Sequence, residues 1–323
     1  MTQETVFARM KRVAAEATPK AFKTILWIFR ITAIVSFVMF VLRALGILNW
    51  ISVAVSPVFL YFGLPGEASL AYVSGYFINV YSCVAALSTL ELSVREVTIL
   101  GTMTLAAHAM ILESAVQHKT GTSRAYCYII RTLASLALGI LLNLILPGRP
   151  HYVANLTPLA DVPFFQLQPD IQGLFVNWLL SLLKLGAWML CIIWLLNIVQ
   201  RELYEFGLME KISKVFRPLL AVFGLPASTS FLWIVANLVG LSYGSAAIMD
   251  EMERNTINRR DIDLLNTHIG ISHSNLEDLS ILAACGGIWY IILLSRWIMV
   301  TVLVWSRRLY LKLSGHIPYY EKE

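Results

Sequence analysis

Hydrophobic residues run through this chain in long blocks, broken by short polar or glycine- and proline-bearing stretches. The blocks lie near residues 24–44, 68–90, 96–118, 126–147, 174–199, 227–249, 261–284 and 286–306. Each approaches the roughly 20 residues that an α-helix needs to cross a bilayer core. The pattern predicts an all-α polytopic membrane protein with about eight hydrophobic segments, not the short alternating segments of a β-barrel. Composition agrees: 58% of residues are hydrophobic, 14% are charged and the mean hydropathy is +0.68. A soluble domain carries about 25% charged residues.

The blocks repeat. GILNWISVAVSPVFLYFGLP (46–65) aligns with GLMEKISKVFRPLLAVFGLP (207–226), sharing Gly46, Ile51, Ser52, Pro57 and the whole FGLP at an offset of 161 residues. After about four inserted residues the offset becomes 165 and pairs Arg95 with Arg260, Thr102 with Thr267, His108 with His273 and Arg131 with Arg296. The organisation this predicts is a cytoplasmic N-terminal segment (1–23), a first repeat (24–148), an extracytoplasmic linker (149–170), a second repeat (171–313) and a cytoplasmic tail (314–323).

Charge bias assigns opposite orientations to the halves. Lys11, Arg12, Lys20 and Lys23 place the N-terminus inside, and Arg307, Arg308 and Lys312 the C-terminus. Lys211, Lys214 and Arg217 hold the second copy of the short amphipathic helix inside, whereas residues 46–65 carry no Lys or Arg and belong outside. The expectation is therefore two inverted-topology repeats. Counting crossings leaves one segment per half re-entrant or broken. Residues 68–90 and 227–249 are favoured because Gly and Ser interrupt them; 96–118 and 261–284 are the alternative. Irregular backbone at that depth must face protein or a water-filled cavity.

Polar residues inside the blocks mark the chemistry. AAHAMILES (106–114) and GISHSNLED (270–278) each set a histidine before a carboxylate. Glu113 precedes Arg131, and Asp278 precedes Arg296, by 18 residues in each case. Two structural ion pairs joining adjacent helices are the simplest account, and removing one partner would cost about 3–5 kcal/mol. Glu277 has no acidic counterpart, since Leu112 occupies the equivalent position, and a continuous helix would put it on the face of His273. His273 with Glu277 could bind a polar ligand, relay a proton or ligate a cation; packing is the plainer alternative. Thr102, Thr267, Ser272, Asn275 and Asn79 join His108, His273 and Glu277 as candidate substrate contacts, although single Ser, Thr and Asn residues commonly bond helix to helix. Lys184 is a further charge inside a block.

The four cysteines (Cys83, Cys127, Cys191, Cys285) lie in apolar blocks without CxxC spacing, so neither a disulfide framework nor a zinc site is signalled by them. The net charge of +5 sits beside the blocks and reads as topology, not as a nucleic-acid surface. The N-terminus lacks a cleavable signal pattern, so the first block should anchor the chain. No serine elbow, HExxH or nucleotide loop appears, and neither an enzyme nor a resident cofactor is expected.

FGLP, a helix containing Asn or Ser, an apolar helix with histidine then carboxylate, and an arginine in the next block, all occurring twice, resemble the nucleoside recognition or Gate domain family. Its relatives include spore maturation proteins A and B, the membrane part of ferrous iron transporter B and the central region of concentrative nucleoside transporters. The resemblance covers about residues 46–148 and 207–313. The chain lacks the GxxxxGK[ST] loop of the iron transporter's GTPase and the extra spans of a full nucleoside transporter. The resemblance implies a permease in the bacterial inner membrane for a small polar solute, a nucleoside among the options, bound between the repeats near the midplane, with Tyr76, Phe77 and Tyr243 available for stacking. Two alternatives remain open. One is divalent metal transport through His108, His273, Glu113, Glu277, Met110 and Cys83. The other is a non-transporting membrane assembly partner. The expected partners are the lipid bilayer and a small solute or ion, not nucleic acid, and a homo-oligomer is compatible with the sequence.

Overall fold

The structure is a computed structural model that describes residues 5–148 and 159–314. Parts of the N-terminal segment (1–4), of the linker (149–158) and of the tail (315–323) lie outside the described residues. Every regular element described is helical. The first half comprises α1 (Val6–Ala44), α2 (Ile47–Phe59), α3 (Ala68–Phe77), α4 (Val80–Leu87), α5 (Val94–Ala106), α6 (Met110–Lys119) and α7 (Arg124–Ile145). The second comprises α8 (Ile171–Glu205), α9 (Leu208–Val222), α10 (Ser230–Leu238), α11 (Leu241–Glu253), α12 (Arg259–Ile271), α13 (Glu277–Ala284) and α14 (Trp289–Ser314).

Local chemistry sets these boundaries. Ser93 and Glu96 form a capping box at the start of α5, Asp170 caps α8 and Asn258 caps α12. Gly46 and Gly207, both left-handed, turn the chain from the long helices α1 and α8 into α2 and α9. In the first half this turn is sharp: Phe29–Ala44 and Ile47–Phe62 meet at 93°. The repeated FGLP also has a geometric cause. Gly63 and Gly224 have φ of +62° and +77°, which β-carbon-bearing residues rarely adopt. A β-carbon on Gly63 would lie 2.1 Å from the Asn143 carboxamide oxygen.

Among the described residues, four helical segments are long and apolar enough to cross a membrane: Val94–Lys119, Arg124–Ile145, Ile171–Glu205 and Trp289–Ser314, with a fifth if the bent pair is one span. Large apolar side chains such as Leu144, Leu180 and Ile298 are exposed on them, as a lipid-facing surface requires and a water-facing one resists. The chain is a multi-pass membrane protein. The expected block at 24–44 is the second part of a 39-residue helix, so the division at residue 23 falls inside α1.

The expected single broken segment per half is corrected to two. Residues 68–90 divide into α3 and α4, and 227–249 into α10 and α11. Residues 96–118 also divide, into α5 and α6, and 261–284 into α12 and α13. The first kind of break folds back: α3 packs on α4, and α10 on α11. The halves meet where α1 lies along α8, α5 against α14, α7 against α12 and α6 against α11.

Candidate functional site

A helix broken within an apolar interior strands backbone carbonyls that must find donors. The breaks at 107–109 and 272–276 are stabilised in the same way. Ala109 and Ser274, 165 residues apart, take left-handed φ of 43° and 49°, a conformation costly for residues other than glycine. The Ala109 amide donates to the Gly75 carbonyl at 3.0 Å, and the Ser274 amide to the Ala236 carbonyl at 3.2 Å. Each α5–α6 or α12–α13 break is thereby tied to the fold-back segment of its own half. Arg131 then donates to the carbonyls of Ala106 (3.3 Å) and His108 (2.8 Å). Arg296 does the same to Ile271 (3.0 Å) and His273 (3.0 Å). Both arginines are fully buried.

The ion pairing differs between the halves. Arg131 Nη2 lies 2.7 Å from Glu113 Oε2. The expected Asp278–Arg296 pair is not made; Asp278 Oδ2 instead lies 3.5 Å from His108 Nε2. The longer break in the second half explains this. α13 starts at Glu277, so Asp278 is its second residue, whereas Glu113 is the fourth residue of α6. The shorter aspartate then faces the other half, not its own arginine.

The two breaks meet. His108 and His273 face each other with ring centroids 4.9 Å apart and Nε2 atoms 3.2 Å apart. Glu113 Oε1 is 3.1 Å from both Nε2 atoms. Three buried side chains, His108, His273 and Asp278, bring their ligand atoms within 4.8 Å of one another. Three of these contacts, His108–His273, His273–Glu113 and His108–Asp278, pair a residue of one half with a residue of the other.

The remaining candidates divide. Asn275 Nδ2 donates to Asn237 Oδ1 at 2.5 Å and to Ser272 Oγ at 3.4 Å, beside the centre. Glu277 does not join His273, because the expected continuous helix is broken between them; it accepts a hydrogen bond from Tyr81 of the first half. Thr102 bonds the Thr98 carbonyl at 2.7 Å and Thr267 the Asp263 carbonyl at 2.9 Å, each within its own helix. Asn79 caps α4. Lys184 is exposed on α8. The aromatic trio is not assembled: the Tyr76 hydroxyl bonds Thr132 at 2.8 Å, Phe77 is exposed, and Tyr243 lines a separate cavity. That cavity, of about 410 Å³, is bordered by Glu16, Asn197, Gln200, Arg201 and Tyr243 and touches Val239 at the α10–α11 break.

Two contacts are not foreseen by the sequence pattern. Tyr81 is one apolar-block tyrosine among several. Asn266, buried on α12, donates to the Thr120 hydroxyl at 2.9 Å and the Thr122 hydroxyl at 2.8 Å across the halves; its place among Leu and Ile in DLLNTHIG is the signal that could have found it.

Known proteins share this geometry's framework. Residues 25–146 match the family model described as Gate, nucleoside recognition. This part of the chain is similar to a Gate domain. The match contains α5, α6 and α7, and so His108, Glu113 and Arg131. An uncharacterized membrane protein of Bacillus subtilis (strain 168), YvoD, is 26% identical over 290 residues, covering 88% of this chain and 91% of that protein. A solved structure of CNTnw in an outward-facing state resembles the fold with a TM-score of 0.50 over 88% of this chain and 74% of that one, at 14% identity. The likeness of fold therefore extends beyond residues 25–146 into the second half.

Proposed function

We propose that the protein is a membrane transporter that passes a small polar solute between its two halves. The observation that carries this reading is the meeting of two helix breaks, one from each half, at a buried centre of His108, His273, Glu113 and Asp278. Polar groups and broken helices at that depth are the means by which secondary transporters bind solutes. The fold shared with CNTnw in an outward-facing state supports a chain that opens to alternate faces. The Gate description favours a nucleoside as the solute class, and the cavity beside Val239 is of a size suited to a small-molecule ligand.

In this reading the repeats are inverted. α9 carries Lys211, Lys214 and Arg217, whereas α2 carries no Lys or Arg, so the positive-inside rule sets them on opposite faces. Both termini lie in the cytoplasm of a bacterium and the protein sits in its inner membrane. The repeats run over 24–148 and 171–313, joined by an extracytoplasmic linker. Asn275 and Asn237 offer carboxamides to the solute next to the buried centre.

Ligand-dependent thermal unfolding of the purified full chain in detergent tests this. A solute that binds the native state stabilises it by mass action, by about 2.7 kcal/mol at a hundredfold excess over Kd, and so raises the midpoint. A nucleoside that shifts wild type but not Asn275→Ala supports the reading. A well-folded protein that responds to no nucleoside, nucleobase or other polar solute contradicts it.

A further inference from the structure

The proton arrangement at the centre is incomplete. The His273 Nδ1 lies 2.6 Å from the Ile269 carbonyl, which can only accept, so Nδ1 carries the proton. Nε2 of the neutral ring is then a lone pair, and it points at Glu113 Oε1, a second acceptor, 3.1 Å away. His108 Nε2 faces three acceptors at once: Glu113 Oε1, Asp278 Oδ2 and His273 Nε2. One N–H cannot satisfy all three. The other nitrogen, Nδ1 of His108, is buried with no hydrogen-bond partner among the described residues.

The distances define what fits. His108 Nε2, His273 Nε2, Glu113 Oε1 and Asp278 Oδ2 are separated by 3.1, 3.1, 3.2 and 3.5 Å along the four measured edges. A tetrahedral ion bound to nitrogen and oxygen at about 2.0–2.2 Å has ligand–ligand edges of about 3.3–3.6 Å. The spaces between these atoms suit one ion and are far too small for a nucleoside. A ligating histidine also characteristically donates its other ring N–H to a backbone carbonyl, as His273 does to Ile269. The Arg131 guanidinium holds Glu113 Oε2 and leaves Oε1 directed at both imidazoles.

We propose that His108, His273, Asp278 and Glu113 bind one divalent transition-metal ion that joins the two halves. Two imidazoles with two carboxylates suit Zn²⁺, Fe²⁺ or Co²⁺ and not Mg²⁺ or Ca²⁺, which prefer all-oxygen shells. Of the residues that sequence pattern alone offered to a metal, Glu277 is turned to Tyr81, Cys83 faces the Thr104 hydroxyl at 3.3 Å and Met110 faces Ser114. This inference deepens the transport reading, because the ion occupies the centre proposed for it.

The test is a titration of chelator-treated full-length protein in detergent with Co²⁺, read by visible absorption and stoichiometry. One Co²⁺ per chain, with the intense bands of a tetrahedral site and displacement by Zn²⁺, is the expected result. Affinity should fall about 10–100-fold or more in His108→Gln and in Asp278→Asn, and by less than about threefold in Glu277→Gln. If the ligand variants do not fold, X-ray absorption on Zn²⁺-loaded wild type decides: the shell should contain two imidazoles, oxygen donors and no sulfur. Absence of binding by folded wild type means that protons alone fill the centre and overturns the proposal. So does a sulfur-containing shell, or affinity unchanged in both ligand variants. Metal binding without solute movement in vesicles would leave the ion site standing and remove the transport reading.

Discussion

His273 Nε2 lies 3.1 Å from Glu113 Oε1, across 160 residues of sequence and across the junction between the two halves. His273 sits in the 272–276 break and Glu113 in the first turn of α6, just after the 107–109 break. An arginine holds the backbone of each break, so the side chains of the centre are positioned by the backbone repair beside them.

That repair predicts an order of stability. Arg131→Met strands both the Glu113 carboxylate and two carbonyls, and should cost about 3–5 kcal/mol. Arg296→Met strands two neutral carbonyls and should cost about 1–3 kcal/mol. Thermal midpoints of the purified proteins check this. Equal losses would mean that Asp278 depends on Arg296 as closely as Glu113 depends on Arg131.

Much of this arrangement is legible in the amino-acid sequence. The FGLP repeat marks the left-handed Gly63 and Gly224, and the repeated His, acid and Arg mark residues that gather beside the two breaks. The partners are not legible. Spacing of 18 residues is the same for Glu113–Arg131 and Asp278–Arg296, yet only the first is an ion pair, because the second break is two residues longer and aims the acid elsewhere. The same break removes Glu277 from the face of His273 and leaves it to Tyr81. A helical period cannot foresee its own interruption when no glycine or proline stands at the site, and Ala109 and Ser274 are neither.

The Tyr81–Glu277 bond links α4 to α13 across the halves. Tyr81→Phe and Glu277→Gln should each lower the unfolding midpoint, and the double variant should show a coupling of about 0.5–3 kcal/mol. Strict additivity would show that the two side chains do not act on each other.

Gly63→Ala should destabilise the fold by more than about 1 kcal/mol, since it strains a positive φ and drives a methyl group into Asn143, which is itself held by Arg95 at 2.7 Å. Gly224→Ala meets the edge of the Trp305 ring at 3.0 Å and should be destabilising for the same conformational reason. Denaturation midpoints compare the two; a neutral Gly63→Ala would contradict a conformational origin for the repeated FGLP.

Inversion of the repeats predicts a labelling pattern. In a chain whose four cysteines are replaced by alanine, Tyr61→Cys should react with an impermeant maleimide from outside intact cells, and Val215→Cys only after the membrane is opened. Both positions are exposed in the fold. Labelling of both from the same side would refute inverted topology.

The central claim is that a solute passes between the two halves, whose contact is held by the His–carboxylate centre. Uptake of labelled nucleosides into vesicles reconstituted with the purified protein tests it most directly. Wild type should show saturable uptake above protein-free vesicles, lost in His273→Gln with the protein still folded and inserted. Wild-type vesicles that take up no nucleoside, or uptake that is undiminished in His273→Gln, would contradict it.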